Sequence, residues 1–173
     1  MEQLASREAN SQESRQGWCA VDAGQWFIDL VRVETRLYNA VEERLRAEHG
    51  ISAGQFQIIR IIADVPNCRV LDIVKETAIT VGAASKAVDR IEAAGWCRRS
   101  SNPRDRRSSC LTLTPAGRRV LAEATPAFTA ELAEWLAAVG GDALAQSGAT
   151  LALLRRSLEE HQRAGHPRPE GQR

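Results

Sequence analysis

Arginine and lysine are the residues whose spacing could do chemistry in this chain. Lys86 and Arg90 stand four apart, Arg98 and Arg99 follow, then Arg104, Arg106 and Arg107, then Arg118 and Arg119. What they offer is neutralisation of a polyanion, by point charge from lysine and by planar two-donor forks from arginine. Between Lys86 and Arg119 these nine bases meet three acids, Asp89, Glu92 and Asp105, while the rest of the chain holds fourteen bases and nineteen acids. A formal net charge of +1 therefore hides a basic segment on an acidic body. That is the layout of a chain presenting one face to a polyanion.

Other chemistries find little support. The four cysteines, Cys19, Cys68, Cys97 and Cys110, show no C-x-x-C spacing, and a structural zinc site needs four converging ligands. His49 is the one histidine inside the expected folded region, and no base-paired nucleophile, paired carboxylate or glycine-rich phosphate loop accompanies it. The chain is not expected to be an enzyme, and no cofactor or metal is expected. With 173 residues, 43% hydrophobic and 26% charged, it can bury a core without staples. No apolar run reaches membrane-spanning length and residues 1–16 carry no signal-like apolar stretch, so a soluble cytoplasmic protein without membrane contact is expected.

The basic residues need elements to position them. Trp26, Leu30, Val33, Leu37, Val41 and Leu45 recur at helical spacing, and Gly50 supplies a left-handed stop. Ser52 and Gln55 have capping-box spacing and open a largely apolar second helix, ended by Pro66 and Asn67. A short helix from Arg69 to about Thr77 should pack through Leu71 and Val74. Thr80 then caps a helix to Ala94, with Val81, Ala84, Val88 and Ile91 inward and Gly82, Ser85, Lys86, Asp89 and Arg90 outward. These two helices read as a helix-turn-helix. Residues 96–101 and 108–114 read as a hairpin around Asn102-Pro103, a basic wing. Pro115 starts a long helix behind Thr114, and Gly140-Gly141 break it from a last helix carrying Leu144, Leu151, Leu154 and Leu158.

The expected fold is mainly α with a small β-hairpin wing, a winged helix-turn-helix with N- and C-terminal dimerisation helices. Its parts are a flexible arm over 1–16, a dimerisation helix over 17–50, a DNA-binding domain over 51–117, dimerisation helices over 118–164 and a disordered tail over 165–173. Unspent apolar faces at both ends of the chain point to a homodimer.

The stretch from Ser52 to Gly117 resembles the multiple antibiotic resistance regulator (MarR) family. The likeness is carried in order by Ser85-Lys86-Ala87-Val88-Asp89-Arg90-Ile91, Gly95-Trp96, Asn102-Pro103-Arg104-Asp105-Arg106-Arg107-Ser108 and Leu113-Thr114-Pro115-Ala116-Gly117. It implies a dimeric DNA-binding regulator, commonly a repressor that releases double-stranded DNA when a small aromatic or phenolic effector binds. It places Ser85, Lys86 and Arg90 against bases or phosphates, with Lys86 where arginine is common. It also sends Arg107 into the minor groove and gives Asp105 a role in shaping the wing. With Thr80, Gly82, Arg104 and Arg106, these form the expected DNA interface.

For the effector, Trp18, Trp26, Phe27, Tyr38 and Phe56 could line an apolar pocket. Cys19 falls short of the place where peroxide-sensing family members carry their reactive thiol; Phe27 lies near it. Cys97 and Cys110 stand symmetrically about a turn centred between Pro103 and Arg104, and in a regular hairpin would face each other as a redox pair. Two alternatives stay open at this point: a thiol-redox-responsive regulator of the same fold, and a winged-helix protein-interaction module without DNA binding.

Overall fold

The structure, a computed structural model, describes residues 22–101 and 108–165. Its elements run α1 (Ala23–His49), α2 (Ala53–Asp64), α3 (Val70–Thr77), α4 (Val81–Ala93), β1 (Cys97–Ser101), β2 (Ser109–Leu113), α5 (Pro115–Leu136) and α6 (Gly141–Gly165). This is the mainly helical fold with a two-stranded antiparallel hairpin that the sequence implies. The chain divides into two compact units, one ending at Leu132 and the other beginning at Ala133.

In the first unit, local sequence signals set most element ends. Asp22 caps α1 by accepting from Gln25 N, and Gly50 closes it at φ 67°. The Ser52–Gln55 capping box forms in both directions, and Glu42 adds a further acceptor for the Ala53 N–H at 2.6 Å. Thr114 joins the base of the wing to α5: its hydroxyl donates to Gly95 O at 2.6 Å and accepts from Gly117 N at 3.1 Å.

Two buried clusters make the core. One gathers Ile59, Cys68, Ile73, Ala84, Val88, Ile91, Cys97 and Leu111 around α4. The other joins Val41, Leu45, Ile51 and Phe56 to Ala124 and Ala127 of α5. Trp96 packs against both.

Two inward assignments are corrected. On α3 the buried residue is Ile73, with Val74 packed beside the core, while Leu71 is exposed. On α4, Ala84, Val88 and Ile91 are fully buried but Val81 is 53% exposed. Both misplaced residues sit in a first turn, where helical spacing continues but the neighbouring elements no longer cover the helix.

In the second unit, α6 carries Leu144, Leu151, Leu153 and Leu158 exposed and Leu154 half-buried. Among the described residues, no helix is long and apolar enough to cross a membrane.

Candidate nucleic-acid interface

The helix that the sequence assigns to reading DNA is α4. Ala78 turns the chain in the left-handed region at φ 55°, and Thr80 Oγ1 then accepts from Ala83 N at 3.2 Å to start the helix. With Ala84, Val88 and Ile91 buried, Gly82, Lys86, Asp89 and Arg90 are left exposed and Ser85 half-buried, as the sequence predicts. Lys86 and Arg90 form no ion pair among the described residues, so both charges remain available to a partner. At Gly82 a Cβ would meet nothing within 4 Å and φ is not positive. Glycine in a helix costs about 0.5–1 kcal/mol relative to alanine. Neither backbone nor packing requires that cost here.

Behind α4 stands the wing. Arg99 on β1 donates to Asp89 at 2.6 Å and to Glu92, both on α4, while its backbone N–H also reaches Glu92 at 2.9 Å. Partial burial pulls the Arg99 pKa down, but the hydrogen bonds and charges of the two carboxylates outweigh it and hold it above the ordinary value. Arg99 is thus a strut between wing and reading helix, a role that counting charges along the sequence does not reveal. Arg98 points elsewhere, with Nε donating to Thr112 Oγ1 at 3.3 Å. Arg104, Asp105, Arg106 and Arg107 lie outside the described residues.

The expected facing of Cys97 and Cys110 is corrected. The register pairs Cys97 with Leu113 and Ser100 with Cys110. Burying Leu111 and Leu113 beside Cys97 fixes that register, and an offset of three residues puts the two thiols on opposite faces of the hairpin. Cys68, Cys97 and Cys110 are free and buried. Burial, reinforced by the charge of Asp72, pushes the Cys68 thiol up to about 12. Burial and Glu92 push Cys97 up to about 11. Neither is therefore a thiolate near neutral pH, the form that reacts with oxidants. No group of three or more His, Cys, Asp or Glu could hold a metal ion among the described residues.

A cleft of about 250 Å³ opens between α1, α2 and α5. Tyr38 and Phe56, two of the expected pocket residues, line it together with Val41, Arg60, Phe128 and Leu132. The rings of Phe56 and Phe128 lie 4.8 Å apart at 30°, and the Arg60 guanidinium sits 5.7 Å from the centroid of Phe128. Trp26 and Phe27 do not line it; they are exposed near the start of α1, and Trp18 lies outside the described residues. Sequence reasoning missed Arg60, Phe128 and Leu132. Phe128 and Leu132 belong to the helical stripe of α5, but no local signal says which other helix that stripe meets.

Residues 51–109 match the family model described as the MarR family. The chain is 38% identical over 61 residues to the uncharacterized HTH-type transcriptional regulator YwhA of Bacillus subtilis (strain 168), a match covering 35% of this chain and 44% of that protein. It thus spans less than half the length of this relative. Among solved structures it resembles the transcriptional regulator BldR of Sulfolobus solfataricus, with 26% identity, a TM-score of 0.68, and coverage of 76% of this chain and 94% of that one. It also resembles BpsR of Bordetella bronchiseptica, whose DNA binding is regulated by 6-hydroxynicotinic acid. That likeness has 26% identity, a TM-score of 0.65, and coverage of 77% and 98%. The matched stretch carries α4 and the first strand of the wing and ends where the second begins, and over it the chain is similar to the MarR family of transcriptional regulators.

Proposed function

We propose that the protein is a repressor that binds a pseudo-palindromic operator as a homodimer and is released by a small aromatic or phenolic molecule. The observation that carries this reading is α4 itself. It presents Lys86 and Arg90, free of ion pairs among the described residues, on a face opened by Gly82, and Arg99 braces it against a basic wing. Each dimer would set two such helices in successive major grooves about 34 Å apart, with Arg104, Arg106 and Arg107 serving the flanking minor grooves. Trp26, Phe27, Ile28 and Val31 on α1 and Leu151, Leu153 and Leu158 on α6 are exposed apolar residues at both ends of the chain. They support dimerisation through terminal helices. Such a regulator acts on DNA in the cytoplasm.

The cleft supports the effector. Phe128, tilted against the buried Phe56, offers a planar ring an apolar seat, and Arg60 at its edge offers a cation to a phenolate or carboxylate. The control of BpsR by an aromatic acid is in keeping with that chemistry. A ligand in the cleft would act by favouring a spacing of the two reading helices that no longer fits DNA.

The test is a salt titration of binding to DNA upstream of the protein's own gene, comparing native protein with Arg107→Ala. Log affinity is expected to fall linearly with log salt, and the substitution to cost about 1–3 kcal/mol per wing. Salt-insensitive association with a protein partner and no affinity for DNA would overturn the reading in favour of an interaction module.

A further inference from the structure

We infer that Val81 is a specificity-determining residue that reads the 5-methyl group of thymine in the major groove. This rests on the proposal that α4 is the DNA-reading helix. Val81 opens the helix and shares its spacing with the inner residues Ala84, Val88 and Ile91, yet it is 53% exposed where those three are wholly covered. The fold gains little from it there, because a β-branched side chain in an uncovered first turn adds neither burial nor helix propensity.

Its neighbours decide what it could recognise. Thr80 Oγ1 is engaged as the helix cap by Ala83 N. Gly82 and Ala83 carry no polar side-chain atoms, and Ile79, just before the cap, is also partly exposed. The leading end of the helix therefore lacks the two-donor or two-acceptor side chains that distinguish bases by paired hydrogen bonds. The one apolar group a base pair presents in the major groove is the thymine methyl. Ser85 follows Val81 by four residues on the same flank and supplies a hydroxyl beside it, while Lys86 and Arg90 further along bring the helix to the phosphates.

Selection from a randomised duplex pool by the full-length protein would supply a bound sequence. The selected duplex is then resynthesised with deoxyuridine for thymidine in its half-sites, a change that removes only the methyl. Wild-type affinity is expected to fall about three- to fivefold for each methyl removed. Val81→Ala, checked for an unchanged melting profile, is expected to bind both duplexes equally. Equal binding of the two duplexes by wild type, or an undiminished uracil penalty in Val81→Ala, overturns the assignment and leaves the DNA-binding reading standing. Failure to select or bind any duplex overturns both.

Discussion

Arg99 on the first wing strand donates to the Asp89 carboxylate of the reading helix at 2.6 Å. A residue that looks, by type and place, like one more phosphate ligand instead satisfies two carboxylates of its own chain. Arg99→Ala should cost about 1 kcal/mol of stability, as both partners are partly solvated. It should also weaken DNA binding by loosening the wing, while leaving the slope of log affinity against log salt unchanged. Lys86→Ala should instead lower that slope by about 0.9 for each phosphate no longer neutralised. Matching reductions of slope in the two variants would show that Arg99 faces DNA after all.

At Gly82 and Gly117 the same substitution should have opposite effects. A Cβ on Gly117 would lie 1.9 Å from the carbonyl oxygen of Trp96, part of the backbone that the wing shares with α5. Gly117→Ala is expected to lose about 3 kcal/mol or more, read as a lowered denaturant midpoint.

Gly82→Ala should raise stability by about 0.5–1 kcal/mol, since the added methyl meets open space and favours the helix. DNA affinity should fall in the same variant. A stabilised protein with unimpaired binding would mean that the partner does not approach this position closely.

The buried thiols give a pH signature. Their folded pKa values, about 12 for Cys68 and about 11 for Cys97, lie above the ordinary 9.0. The folded state therefore holds these protons more tightly than the unfolded chain. Their contribution to stability is complete below pH 9 and is lost as pH rises from there towards 11 and 12. Alkylation of native protein at about pH 7.5, followed by peptide mass analysis, should leave Cys68 and Cys97 unmodified until denaturant is added. Rapid modification of either would restore the redox reading that the hairpin register weakens.

What could be read from the sequence follows interaction range. The Ser52–Gln55 box, the Thr80 and Thr114 caps and the Gly50 stop each join residues a few positions apart, and all appear as expected. The register of the hairpin did not, because it depends on which side chains the core accepts rather than on symmetry about the turn. The cleft was half legible. Tyr38 and Phe56 were expected, but the Phe128 ring that completes the stack comes from a helix far along the chain. Charge was legible as a total and not by role, since nothing local separates Arg99 from Arg98.

The two core clusters differ in the length of chain that each must close. The cluster around the reading helix joins residues no farther apart than Ile58 and Leu113, whereas the other ties Val41 to Ala127. Loop-closure entropy rises with that separation, though slowly. The wing and reading helix can therefore draw together from one continuous run of chain. The walls around Phe56 and Phe128 instead tie together two distant stretches and close a longer loop, with Trp96 as a side chain common to both clusters.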